Sequence, residues 1–223
     1  MQKYDFFAIF AKYLPNVFGH NTTEYRQIIQ LENMNYLFLA EGFEIVEAMA
    51  PADMISRAGI PLTTVSISQE RLVSSSHGIQ VSADIDWDEF KSGIAVEELR
   101  ADDILIFPGG MPGSVNLAEK TELMDILQKH FGRGGNVAAI CAAPSVVLGK
   151  LDGIADRKMC CYQGFEQALI EKGAQVDVKN GVVIDRNMVT SRGAGHAIAF
   201  GLAIVSLLRG QAQADKVAGA IML

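Results

Sequence analysis

From Met34 onward, short apolar runs and helical apolar periods take turns along the chain. Asn35 to Ala40 reads as a strand, and Glu44 to Ala58 reads as a helix stopped by Gly59, because glycine accepts the left-handed conformation that closes a helix. Ile60 to Ile67 predicts the next strand. Val73 and Ile79 to Val81 flank Ser74-Ser-Ser-His-Gly78 and predict a hairpin. A short helix at Ala95 to Leu99 leads into a strand at Ile104 to Phe107, a Pro108-Gly109-Gly110 loop and a helix over Thr121 to Phe131. After the Gly134-Gly135 turn comes a buried strand, Asn136 to Ile140. Helices at Pro144 to Leu148 and Gly164 to Lys172 follow, then short strands near Gln175 to Val178, Val182 to Ile184 and Met188 to Thr190, and an apolar helix from Ala194 to Leu208. Alternation of this kind predicts an α/β fold: a mostly parallel sheet with helices on both faces. Ligands of such sheets bind beyond the carboxyl ends of the strands.

Residues 1–33 break the rhythm. Phe6, Phe7, Ile9, Phe10, Tyr13, Leu14 and Phe18 lie among polar residues, a spacing that suits either a short amphipathic helix or a weakly ordered tail. The chain therefore divides into an N-terminal extension, 1–33, and a domain, 34–223.

Composition narrows the function classes. With 49% hydrophobic residues among 223, the chain carries enough apolar side chain to fold. The net charge of -7 and the lack of a basic cluster argue against nucleic acid as a partner. No apolar run reaches the roughly 18 residues of a membrane span and no leader pattern opens the chain, so a cytoplasmic protein without a membrane partner is expected. Cys141, Cys160 and Cys161 are odd in number and two are neighbours, which suits no disulfide framework. No metal site is expected either: there is no C-x-x-C, and His20, His77, His130 and His196 are scattered. Cys160 and Cys161 read as packing residues.

Chemistry concentrates at three predicted strand ends. Cys141 stands where the strand Asn136 to Ile140 hands over to Ala142-Ala-Pro144, as at a nucleophile elbow. A thiol there lies near a helix N-terminus, which can bring its pKa from about 8.5 into roughly the 3.5 to 7.5 range and leave the thiolate dominant at neutral pH. Position alone equally allows a small buried hydrophobe. The Pro108-Gly109-Gly110 loop bares amides at the next strand end, so that Gly110 and Ala142 together can offer two donors to one developing oxyanion; a plain tight turn is the alternative. After the first strand, Glu44 reads as a solvated complement to the helix dipole, whereas Glu47 lies one turn before Pro51, whose missing N–H invites a bend that turns the carboxyl inward. Buried beside a thiolate, that carboxyl would have a raised pKa and act as a proton shuttle.

Leu39-Ala-Glu-Gly-Phe-Glu-Ile-Val-Glu47, Arg57-Ala-Gly-Ile60, Leu105-Ile-Phe-Pro-Gly-Gly110, Ala138-Ala-Ile-Cys-Ala-Ala-Pro144 and Thr190-Ser-Arg-Gly193 together resemble the ThiJ/PfpI superfamily, in particular its small dimeric branch of Parkinsonism-associated deglycase and YajL-like proteins. The resemblance spans Met34 to about Leu208. It implies a flavodoxin-like three-layer sandwich, a homodimer, no cofactor, and a site in which Cys141 is the reactive thiol, Glu47 its acidic partner, and Gly110 and Ala142 the oxyanion amides. Gly109, Tyr162 and His77 are pocket candidates, His77 as a residue reaching a partner subunit's pocket or as part of a solvated turn. The implied activity is cofactor-independent conversion of small reactive carbonyls, glyoxalase III-like or deglycase-like. The alternative is an oxidative-stress sensor or chaperone-like protein using the same cysteine, and a thiazole monophosphate biosynthesis label is attached to many such chains. Three departures matter. Ala142 stands where the protease-like branch has histidine, which argues against a peptidase. Tyr162, within Met159-Cys-Cys-Tyr-Gln163, stands where the dimeric branch often has histidine. His196 is followed by Ala197 and Ile198 rather than by the His-x-Glu of glutamine amidotransferases, so it reads as a helix-start residue.

Overall fold

The computed structural model describes residues 34–93 and 99–223. The expected extension at 1–33 and most of the expected helix at Ala95 to Leu99 lie outside the described residues. The strands are Tyr36–Leu39 (β1), Thr63–Ser66 (β2), Leu72–Ser74 (β3), Gln80–Ser82 (β4), Ile104–Phe107 (β5), Asn136–Ile140 (β6), Lys158–Met159 (β7), Gln175–Val176 (β8), Val182–Asp185 (β9) and Met188–Ser191 (β10). The helices are Ile45–Arg57 (α1), Trp87–Gly93 (α2), Gly113–Glu119 (α3), Thr121–Gly132 (α4), Ala143–Val146 (α5), Glu166–Glu171 (α6), Ala197–Arg209 (α7) and Gln211–Ala220 (α8).

The main sheet runs β2-β1-β5-β6-β10-β9, parallel except for β9, which pairs antiparallel with β10 at one edge. Its five parallel strands, numbered in chain order, follow the 2-1-3-4-5 order of the flavodoxin-like fold. Chain order reverses between β1 and β5, and the loops after β1, β5, β6 and β10 all leave by the same carboxyl edge.

Both faces are covered, which is why the inner strands are apolar without interruption. Leu37, Leu39, Ile104, Ile106, Ile140 and Val189 pack with Ile55 of α1 and Phe200 and Ile204 of α7. Their strand neighbours Tyr36, Phe38, Leu105, Phe107 and Val137 point the other way, against Phe90 of α2, Leu117 of α3 and Leu123 and Leu127 of α4. There the ring of Phe38 stacks on Phe107 and meets Phe90 edge-on, with centroids 5.4 and 5.3 Å apart.

Strands β5 and β6 have the bounds read from the sequence, but α2, α3 and α8 were not expected. α2 buries two side chains, Trp87 and Phe90, and α8 likewise buries two, Ala214 and Val217. Two buried positions make too narrow a stripe to read as a helical period. α3 opens at Gly113 immediately after Pro112, where the sequence signals a loop.

α1 carries Glu47 into the core. Glu44 is its N-cap, the carboxylate accepting the Glu47 N–H at 2.7 Å, a more specific role than the solvated dipole complement expected. Beyond Glu47, Pro51 lies inside the helix and is buried against α7. A Cβ at Gly201 of α7 would stand 2.7 Å from the Pro51 Cα and 2.9 Å from the Met54 Cβ.

Gly201→Ala sets two effects against each other. Helix propensity favours alanine by about 1 kcal/mol, whereas overpacking a close helix contact costs roughly 1–3 kcal/mol. The clash involves backbone, so it should win. The expected outcome is a lower urea midpoint with unchanged helical circular dichroism; an unchanged or higher midpoint would show that α1 can move aside.

Candidate active site

Cys141 terminates β6 with φ +66°, the left-handed region that a non-glycine residue seldom enters. Both of its backbone groups are fastened: its N–H donates to the Ser191 carbonyl at 2.9 Å, and its carbonyl accepts the Tyr162 N–H at 2.7 Å. The strand therefore ends in an elbow, with the sulfur above the sheet edge, half-buried, and facing the amides of Ala142 and Gly110. Cys160 and Cys161 are buried; the Cys160 sulfur packs 3.2 Å from the Thr190 carbonyl oxygen, in keeping with a packing role.

The loop after β5 comes close enough only because it lacks side chains. A Cβ at Gly109 would run into the Glu47 carboxyl and the Cys141 Cβ, and one at Gly110, where φ is +91°, would strike the backbone of Gly42 and Glu44. The Gly109 carbonyl accepts the Glu44 N–H at 3.0 Å, while its own N–H donates to Glu47 Oε2 at 3.1 Å. One loop thus locks the start of α1 and touches both side chains of the pair.

Glu47 is 1% exposed. Its carboxyl hydrogen-bonds with the Cys141 sulfur and also accepts the N–H groups of Gly109 and Ala194. Burial raises its pKa from 4.5 to about 7, the nearby Glu44 charge adding to this while those three hydrogen bonds oppose it. The thiol is also pushed up, to about 12, first by burial and then by the Glu47 charge and hydrogen bond, with the Ala142 and Gly110 amides pulling the other way. This corrects the expected low thiol pKa. α5 has four residues, too short for a strong helix dipole, and a neighbouring carboxylate opposes a second negative charge. The upward shift of Glu47 agrees with the sequence reading. Above about pH 7 the two groups hold one proton between them. A carboxylate that takes the thiol proton removes its own repulsion and becomes a donor to the sulfur.

Tyr162 reaches this place through its backbone. Lys158 N–H donates to Asp185 Oδ2, Cys160 N–H to Thr190 Oγ1, and Tyr162 N–H to the Cys141 carbonyl. Its ring is about half exposed, and together with Arg192, Gly193, Ala194 and His196 it lines a cleft of ≈ 760 Å³. Cys141 does not line that cleft, which borders the pair through Gly193 and Ala194. A Cβ at Gly193 would lie 3.5 Å from the Tyr162 ring and 3.8 Å from Glu47 Oε1. His77 sits exposed on the β3–β4 turn against Ser76 Oγ at 3.1 Å and makes no hydrogen bond with the pair. His196 stands at the N-cap position of α7 without a side-chain capping hydrogen bond, a helix-start residue as its sequence context suggests.

The sequence missed the part played by β10. Thr190-Ser-Arg-Gly193 stands out as a motif, yet nothing in it indicated that the Ser191 carbonyl would anchor the elbow or that the Ala194 amide would reach Glu47. Those contacts depend on β10 lying beside β6, which local pattern does not reveal. Among the described residues no group of three or more His, Cys, Asp or Glu side chains could hold a metal, and no helix is long and apolar enough to cross a membrane.

Residues 35–207 match the model of the DJ-1/PfpI family. Protein dj-1beta of Drosophila melanogaster is 32% identical over 189 residues, covering 84% of this chain and 95% of the relative. The glutathione-independent glyoxalase DJR-1.2 of Caenorhabditis elegans is 31% identical over 170 residues, covering 76% and 85%. Among solved structures, Toxoplasma gondii DJ-1, described as oxidized, superposes with a TM-score of 0.75 at 27% identity over 85% of this chain and 98% of that one.

The carboxyl's displacement from 4.5 to about 7 has a sign that unfolding can read. A folded-state pKa above the unfolded value favours the native state below about 4.5 and loses that contribution as pH rises through about 7. Glu47→Gln removes this dependence. The variant should gain stability relative to the parent between pH 4.5 and 7.5, by up to about 3 kcal/mol at 1.36 kcal/mol per pH unit, then level off. Urea unfolding at pH 4.5, 6 and 8 measures it; a difference that does not vary with pH would mean the carboxyl is not held protonated.

Proposed function

The chain belongs to the DJ-1/PfpI family, and on that footing we propose that it is a cysteine-dependent, cofactor-independent enzyme acting on small reactive carbonyls, in the manner of a glyoxalase. The hydrogen-bonded Cys141–Glu47 pair beneath the Gly110 and Ala142 amides carries this reading. A relative named as a glyoxalase that needs no glutathione supports it, since a thiol of the protein itself can take the place of glutathione's.

With methylglyoxal, the Glu47 carboxylate takes the Cys141 proton and the sulfur attacks the aldehyde carbon. A C–S bond forms, and the carbonyl electrons move to oxygen, held by the two amides until Glu47 returns the proton. The hemithioacetal then loses its C1 proton to the same carboxylate, and Glu47 passes that proton to the neighbouring carbonyl oxygen, giving an enediol. Glu47 next takes the C1 hydroxyl proton and delivers it to C2, and a thioester of the 2-hydroxy acid remains. Water adds, the C–S bond breaks, and lactate leaves with the thiol restored; the sum is methylglyoxal plus water to lactate. One acid suffices because donor and acceptor roles alternate. In this scheme Tyr162, which lines the neighbouring cleft, stands where the dimeric branch often has an imidazole.

A redox-sensor reading has one observation in its favour. Cys141 is half-buried while Cys160 and Cys161 are buried, so an oxidant in solution meets Cys141 first. The same amides and the protonated carboxyl would donate to sulfinate oxygens.

Cys141→Ala should reduce methylglyoxal turnover to background, and Glu47→Gln should lower kcat by roughly 10²–10⁴-fold, the usual worth of a positioned acid–base group. Full turnover by Cys141→Ala would rule out the enzymatic reading. Mass spectrometry after mild peroxide provides a separate check: oxygen is expected on Cys141 and not on Cys160 or Cys161. Stoichiometric oxidation with negligible turnover would favour the sensor.

A further inference from the structure

The cleft beside the pair has a charge character unlike that of the chain around it. The chain has 26 acidic residues against 19 basic ones, yet the cleft is lined by the Arg192 guanidinium and the His196 imidazole and by no carboxylate. Arg192 forms no ion pair among the described residues. Its side chain donates from Nη1 to the Val178 carbonyl at 2.6 Å, which fixes the guanidinium and leaves most of its N–H groups without a described partner. The N-terminus of α7 opens at the same place, with no side chain capping it, and adds positive potential of the same sign. Tyr162 lines the same cleft.

A volume of ≈ 760 Å³ suits a small molecule. The cleft meets the pair at Gly193 and Ala194, the latter donating to the Glu47 carboxyl, so a molecule bound in it would lie next to the carboxyl that moves protons. A cation fixed beside a reacting carbonyl, with no acid to neutralise it, orients a substrate by its charged end.

We propose that Arg192 is a specificity-determining residue and that the preferred substrates are α-oxoaldehydes carrying a carboxylate or phosphate on the carbon chain, whose anionic end docks in the Arg192 cleft while the aldehyde meets Cys141. The substrate class rests on the carbonyl-enzyme reading; the anion subsite itself does not. Uncharged methylglyoxal would use the same pair without this contact.

The full-length protein and Arg192→Met can be compared on three substrates: methylglyoxal, 4,5-dioxopentanoate as the carboxylate form, and 3-phosphooxy-2-oxopropanal as the phosphate form. The parent should favour one or both anions, and the variant should lose about 10–100-fold in kcat/KM on the favoured anion, mostly through KM, while methylglyoxal stays within about twofold. The two anions distinguish carboxylate from phosphate recognition. Equal losses on all three substrates would reduce Arg192 to a structural strut, and a parent that favours neither anion would overturn the proposal. A readout independent of turnover is alkylation of Cys141 by anionic iodoacetate against neutral iodoacetamide. The ratio of the two rates should fall about tenfold in Arg192→Met, and an unchanged ratio would overturn the subsite. If no substrate turns over but the ratio falls, the carbonyl reading fails while the anion subsite stands.

Discussion

A buried carboxyl against a half-buried thiol is an expensive arrangement, and much of the surrounding structure exists to make it tolerable. Neither group has a cationic partner among the described residues. Instead Glu47 receives two main-chain N–H groups from different loops, Gly109 and Ala194, and Cys141 receives two more, Ala142 and Gly110. Main-chain dipoles moderate the cost of a charge without neutralising it. The pair is thus left close to the point where it gives up its first proton near neutrality, the condition in which one acid can both donate and accept.

The sheet topology is what brings four loops to one point. Between β1 and β5 the chain order reverses, so the helices that follow these strands pack on opposite faces and leave a crevice above the edge. Glu47 comes from the first turn of α1, Gly109 and Gly110 from the loop after β5, Cys141 and Ala142 from the elbow after β6, and Ala194 from the turn after β10. Each loop is short and anchored by a strand packed on both faces. Their separations are consequently set by strand spacing more than by loop flexibility.

Much of this was legible in the sequence where local rules govern. Strand Ile104–Phe107 and the helix of Glu44 and Glu47 follow from apolar patterning and from Gly59, whose φ of +71° is the expected helix stop. The elbow at Cys141 follows from an apolar strand running into Ala-Ala-Pro. What local pattern could not supply was partnership across the sheet: that the Ser191 carbonyl holds Cys141, or that β7 and β8 form a small sheet of their own. The thiol pKa went wrong for a related reason. Helix proximity can be read from sequence, but the length of α5 and the charge of the neighbouring Glu47 emerge only in three dimensions.

The attachment of Tyr162 bears on how this site can diversify. A main-chain N–H, not the ring, ties residue 162 to the elbow, and the ring, about half exposed, faces the cleft. Side chains at such a socket are interchangeable parts: phenol, imidazole or aliphatic group can be fitted there while the frame that seats the sulfur stays as it was. Drift at a position of this kind retunes which molecules are accepted, and leaves the fold's stability to residues elsewhere.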